Sequence, residues 1–233
     1  MACWLAEAIT QKKEEQVPWA AKVGENGTYK WVFEGKPVQA NAPGIRKHFE
    51  FCAEYADEYV LLQHETWPYP NASNVYSMIR LAKDGSLICS SPINLPPMEF
   101  GCLFNNVIVN GETLVLYGEV CDSNFQYVAT VAAINKSAEV LWIKGYAESV
   151  GVGAAGNLQD LYYLSFVMHN PLGNTILVAN KSGDTIETLV NPFEQFSTGI
   201  IVRNIISDKK DCLWIVGTIE NATRCFIAKL IGQ

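Results

Sequence analysis

The stretch Val131-Ala-Ala-Ile-Asn-Lys-Ser-Ala-Glu-Val-Leu-Trp142 decides the fold of this 233-residue chain. An apolar run, a polar Asn-Lys-Ser turn and a second apolar run make the pattern of a β-hairpin. Extended chain packs its apolar side chains on a sheet, and Asn, Ser and Gly accept tight-turn geometry. The pattern returns in Ala20 to Trp31 (AAKVGENGTYKW), Met78 to Cys89 (MIRLAKDGSLIC) and Leu177 to Thr188 (LVANKSGDTIET). It begins a fifth time in Ile227 to Gln233 (IAKLIGQ). With Gly27, Gly85, Ala138 and Gly183 as equivalent turn positions, the unit recurs every ~45–58 residues. Periods of that order mark stacked repeats such as propellers and solenoids.

Working upstream from each hairpin, another apolar run recurs: Trp4 to Ile9, Tyr59 to Thr66, Thr113 to Cys121, Leu161 to His169 and Cys212 to Ile219. Before three of these lies a further run: Phe49 to Tyr55, Gly101 to Val109 and Gly199 to Ser207. All are rich in Val, Ile, Leu and aromatic residues, as strands are. Val109-Asn-Gly-Glu112 joins two of them with a two-residue hairpin turn. The expectation is an all-β fold, a β-propeller of about five four-stranded antiparallel blades in one domain, 1–233. The repeat units fall at roughly 1–37, 48–94, 100–147, 148–191 and 196–233. The first unit lacks its first strand and the last its fourth. The segment 1–16 carries a helical spacing at Trp4, Leu5, Ala8 and Ile9, but its place in the repeat makes it a strand. The Gly- and Ala-rich segment 148–159 reads as a long loop or a distorted inner strand.

The stretches Asn110 to Gly118 and Val131 to Trp142 together resemble the repeat of bacterial propellers of the delta-60 and quinoprotein-like kind. Lys22, Arg80 and Lys229 fit its basic position, and Trp31 and Trp142 its closing Trp. The resemblance implies architecture only. No quinone site is recognisable, and no cofactor is expected.

The chain holds 49% hydrophobic and 18% charged residues, enough to build a substantial core. Its formal net charge of −7 argues against binding a nucleic-acid backbone, which needs clustered Lys and Arg. No run of about 18 apolar residues predicts a membrane span. The seven cysteines, Cys3, Cys52, Cys89, Cys102, Cys121, Cys212 and Cys225, show neither CxxC pairs nor zinc spacing. Most lie in apolar runs and read as buried free thiols, which with no export signal suggests a cytoplasmic protein. Asn-x-Ser/Thr triplets at Asn26, Asn71, Asn135, Asn180 and Asn221 read as turn chemistry.

Candidate chemistry gathers at the ends of the second strands. His64 and Glu65 close one, and by repeat alignment Glu7, Glu119 and His169 take similar places. A His/Glu set can bind a metal or exchange protons, but the spacing fixes no ligand set, so neither a metal nor a catalytic residue is assigned. Trp67 and Tyr69, held by Pro68 and Pro70, are the first choice for a ligand or partner contact. No GxSxG, HExxH or GxxxxGK[ST] motif occurs, and Gly151-Val-Gly-Ala-Ala-Gly156 lacks the βαβ context of a dinucleotide site. The expected function is therefore a non-enzymatic binder that recognises a protein partner, of basic character, with a propeller face. An immunity or inhibitor protein is one form of it. A carbohydrate-binding, lectin-like propeller is the alternative, and a hydrolase or lyase with a channel-end acid/histidine site the third reading.

Overall fold

The computed structural model describes residues 3–9, 16–36, 45–55, 57–67, 73–95, 102–121, 127–146, 149–168, 174–190, 192, 200–207, 212–219 and 224–231. They form five antiparallel sheets in chain order. The first holds β1 (Cys3–Ile9), β2 (Gln16–Val23) and β3 (Tyr29–Glu34). The second holds β4 (Arg46–Tyr55), β5 (Glu58–Trp67), β6 (Ser73–Ala82) and β7 (Leu87–Ile93). The third holds β8 (Cys102–Asn110), β9 (Thr113–Cys121), β10 (Tyr127–Ile134) and β11 (Val140–Tyr146). The fourth holds β12 (Ser149–Leu158), β13 (Leu161–Met168), β14 (Asn174–Ala179) and β15 (Thr185–Val190). The fifth holds β16 (Ile201–Ser207), β17 (Cys212–Ile219) and β18 (Arg224–Ile231). Each sheet is a meander of sequential strands, and none of the described strands pairs outside its own sheet. Among the described residues the first and fifth sheets have three strands, as their incomplete units predict, and β1 is a strand rather than a helix.

The tight turns form as their residues dictate. Asn135 Oδ1 accepts from the backbone N–H groups of Ser137 (2.9 Å) and Glu139 (3.0 Å), and Asn180 Oδ1 from those of Ser182 and Asp184. Asn26 Oδ1 accepts from the Thr28 hydroxyl at 2.7 Å. These three sequon asparagines are turn builders; Asn71 and Asn221 lie outside the described residues.

A strand alternates its side chains between two faces, so each of the three middle sheets contributes to two apolar layers. Ala20 and Trp31 meet Phe49, Tyr59, Leu61, Ile79 and Leu81 between the first two sheets. On the other face of the second sheet, Tyr55, Val60, Leu62, Tyr76 and Met78 meet Phe104, Leu114, Leu116 and Ile134 of the third. Val115, Tyr117 and Val131 meet Leu164 and Phe166 of the fourth, and Ala154 and Ile176 meet Ile205, Leu213 and Ile215 of the fifth.

The first strands of the last four sheets, β4, β8, β12 and β16, carry a recurring irregularity. A β-bulge interrupts the register between Phe49 and Phe51, Phe104 and Asn106, Val152 and Ala154, and Val202 and Asn204. Each bulge inserts one residue and changes which face the residues before it occupy. The Gly/Ala-rich segment expected as a loop or distorted strand is the ten-residue β12, with two register shifts. Its small residues have a packing reason. A Cβ on Gly156 would fall 2.6 Å from Ile205 Cγ2 and 2.8 Å from Ile205 O in β16.

Among the described side chains, Cys52 departs from the free-thiol expectation. Cys52 is disulfide-bonded, while Cys89 and Cys225 are free thiols. No helix among the described residues is long and apolar enough to cross a membrane.

Candidate metal centre

The bulge in β4 gathers the one group of potential metal ligands found among the described residues: His48, Glu50 and His64. The hairpin β4–β5 starts from the pair Tyr55↔Glu58 and runs in step to Phe51↔Leu62. Continued without interruption, it would place Phe49 opposite His64 and turn His48 to the other face. The extra residue at Glu50 shifts the register so that His48 stands opposite His64. Directly opposed residues share a face, so both imidazoles lie on the side of the sheet that packs against the third.

The geometry is tight. Glu50 Oε1 lies within hydrogen-bond distance of His48 Nε2, at 2.6 Å, and of His64 Nδ1, at 3.0 Å. The two rings meet edge to face, 5.0 Å between centroids. One donor atom from each of the three residues lies within 4.8 Å of the others. Burial raises the Glu50 carboxyl, but hydrogen bonding with His48 and His64, and their charge, bring it down to about 2.

His64 is 2% exposed and held on every side. Its ring stacks on Tyr76 with centroids 4.6 Å apart and planes 6° from parallel. The Tyr76 hydroxyl in turn accepts from Phe104 N–H at 2.8 Å, anchoring the stack to the third sheet. His64 Nε2 faces Asn74 Oδ1 at 2.9 Å and Thr66 Oγ1 at 3.3 Å. His48 and Glu50 are half-buried, so the centre lies between a buried imidazole and a solvent-reaching side.

The equivalent bulges in other sheets carry different residues. Where the second sheet has His48, Glu50 and His64, the third has Leu103, Asn105 and Glu119, the fourth Gly151, Gly153 and Val167, and the fifth Ile201, Arg203 and Thr218. The backbone device is shared; the donor set belongs to the second sheet.

Of the candidates from the sequence, His64 is in this centre. Glu65 points to the opposite face and pairs with Lys47 at 2.7 Å. Glu119 holds the His64 position one sheet on, on the face of Val115 and Tyr117 that packs against the fourth sheet. Burial raises its carboxyl above the ordinary value. His64, Glu65 and Glu119 thus lie on three different faces. Trp67 ends β5 and is 39% exposed; Tyr69 and His169 lie outside the described residues, and of Glu7 only the backbone, in β1, is described. His48 and Glu50 were not legible as partners of His64. Their i, i+2 spacing on a strand was the available signal, but the bulge that joins them to His64 leaves no mark in the letters.

No family model matches the chain, and no curated protein matches it. The delta-60 and quinoprotein-like resemblance thus has no family-level support. Solved structures share the fold. Prolyl oligopeptidase B from Galerina marginata superposes with a TM-score of 0.57 at 14% identity, over 98% of this chain and 30% of that one. A Synechocystis apocarotenoid oxygenase gives a TM-score of 0.52 at 13% identity, over 98% of this chain and 55% of that one. A neuraminidase-like protein of a flat-faced bat isolate from Peru gives 0.51 at 10% identity, covering 91% and 69%. This chain thus spans about half the length of the oxygenase. The shared architecture is propeller-like. The expectation of a non-enzymatic binder does not stand against these neighbours, which by name are an oligopeptidase, an oxygenase and a neuraminidase-like protein. Their low identity shows fold and nothing of substrate.

Proposed function

We propose that this chain is a metal-dependent protein whose chemistry centres on a divalent transition-metal ion held by His48, Glu50 and His64. One observation carries the reading: two imidazole nitrogens from opposed strands converge on a single carboxylate oxygen, at 2.6 and 3.0 Å. Ligands arranged tetrahedrally about an ion at about 2.0–2.1 Å stand about 3.3–3.4 Å apart. The three donor atoms, already within 4.8 Å of one another, need only draw together around it. Two imidazoles and one carboxylate form the donor set of zinc hydrolytic centres and of non-haem ferrous oxygenases, both of which leave positions open for water or substrate. The partial exposure of His48 and Glu50 supplies the open side, and the buried stack on Tyr76 the rigid one. In this reading the five sheets are five blades, and the second blade's bulge is the working one.

Titrating the chelator-stripped protein with zinc and cobalt(II), by calorimetry and visible absorption, tests it. The expected result is one ion per chain, lost in His48→Ala and Glu50→Gln variants that keep the wild-type circular dichroism. Binding that these variants leave unchanged, or no binding by the wild type, would overturn the reading.

A further inference from the structure

Resting on that metal reading, we propose that Asn74 is a positioning residue that selects which nitrogen of His64 meets the metal. The His64 ring has two of its freedoms settled by neighbours. Stacking on Tyr76 at 4.6 Å, nearly parallel, fixes its plane. Its burial between sheets leaves one alternative of similar shape, a half-turn of the ring about its Cβ–Cγ bond. That half-turn would carry Nδ1 away from Glu50 and present carbon in its place.

Asn74 opposes the half-turn. It lies two residues before Tyr76 on β6, opposite Thr66, and so shares the face of the His64–Tyr76 pair. Its Oδ1 stands 2.9 Å from His64 Nε2, with Thr66 Oγ1 at 3.3 Å on the same nitrogen. An amide oxygen accepts a hydrogen bond and cannot donate one, so it retains the ring proton on Nε2. Nδ1, on the Glu50 side, then offers its lone pair to the ion. Metal-ligating histidines commonly donate their other ring N–H to an oxygen in this way, and the partner fixes both tautomer and orientation. The rest of the pairing supports the assignment: the strand position opposite Glu119 in the third sheet is Ala129, not an aromatic, so the stack-and-acceptor pair accompanies the donor set.

The test compares zinc affinity and the cobalt(II) visible spectrum of the full chain in the wild type, Asn74→Ala and Asn74→Asp. Removing the acceptor should weaken binding about 10- to 100-fold and alter the cobalt bands, because outer-shell partners of ligating histidines carry effects of that size. Asn74→Asp, which keeps an oxygen at the same place, should retain the wild-type bands. Wild-type affinity and spectrum in Asn74→Ala would overturn the proposal, as would equal loss in both variants, since packing alone would then explain it. The two readings fail separately. If wild type binds, His48→Ala does not and Asn74→Ala is unaffected, only the role of Asn74 falls; if the wild type binds no ion, both fall.

Discussion

The indole of Trp31 lies where a side chain on Gly85 would have to be: a Cβ at that glycine would fall 2.6 Å from Trp31 Cγ. Gly85 has φ +86 and closes the β6–β7 turn, so the last strand of the first sheet clamps the turn of the second. The arrangement recurs two sheets on, where a Cβ on Gly183 (φ +75) would fall 2.8 Å from Trp142 Cζ3. Trp31 lies 5.2 Å from Tyr59, and Trp142 6.1 Å from Tyr162, so each clamp also leans on the second residue of the next sheet's second strand. At the turn between these two, the glycine is replaced by Ala138 at φ 64, and the position of the Trp is taken by Cys89.

Gly85→Ala should therefore be costly. The methyl group meets the indole, and the left-handed backbone adds its own strain. Together these should lower unfolding free energy by about 2–4 kcal/mol. Ala138→Gly should be neutral or stabilising by up to about 1 kcal/mol, because it relieves the same backbone strain. Urea unfolding midpoints at unchanged slope check both; equal effects at the two turns would contradict the clamp.

Gly156→Val should separate the fourth and fifth sheets. The new side chain would collide with Ile205 Cγ2 and with its carbonyl oxygen, and backbone cannot yield as a flexible side chain does. A loss of about 2–3 kcal/mol is expected, with faster hydrogen exchange concentrated in β16 and β17.

Metal should stabilise the fold in proportion to occupancy. At a free ion concentration 100 times the dissociation constant the gain is about 2.7 kcal/mol, provided the unfolded chain binds none. Thermal melts with zinc and with chelator should differ accordingly in the wild type and coincide in His48→Ala. Lys47→Ala, on the other face of the sheet, removes an ion pair worth under about 1 kcal/mol and should leave the zinc shift intact.

Acid should weaken the second sheet through Glu58. Its carboxylate accepts two hydrogen bonds from Arg80, from Nε and from an Nη, each 2.6 Å long. Those bonds hold it below the ordinary value of 4.5 against the opposing effect of burial. A carboxyl with a lowered folded-state value contributes stability above its unfolded value, and loses it as pH falls through the folded one. Unfolding free energy should therefore drop below about pH 4.5, and Glu58→Gln should make that drop shallower. Superimposable pH profiles for the two proteins would refute the assignment.

The units, their turns and most strand positions were legible in the sequence because they rest on local chemistry. Asn135 and Asn180 cap their own turns, Gly27 and Gly183 supply positive φ, and runs such as Val131 to Ile134 must be extended and buried. β12 was harder to read, since its Gly and Ala residues answer to a neighbour, Ile205, far away in the chain. Cys52 was misjudged for the same reason, because a disulfide depends on where a second chain segment passes.

By itself, then, the sequence determined a repeated antiparallel β architecture, since hairpin periodicity and turn residues act within a few positions of one another. Only the tertiary structure decided the centre. A hairpin counted out from Tyr55 and Glu58 without a bulge sends His48 to the wrong face. One inserted residue reverses that, and a shift of register by one moves every later side chain to the opposite side. The bulge in β4 is what turned three separate letters into His48, Glu50 and His64 around one oxygen atom.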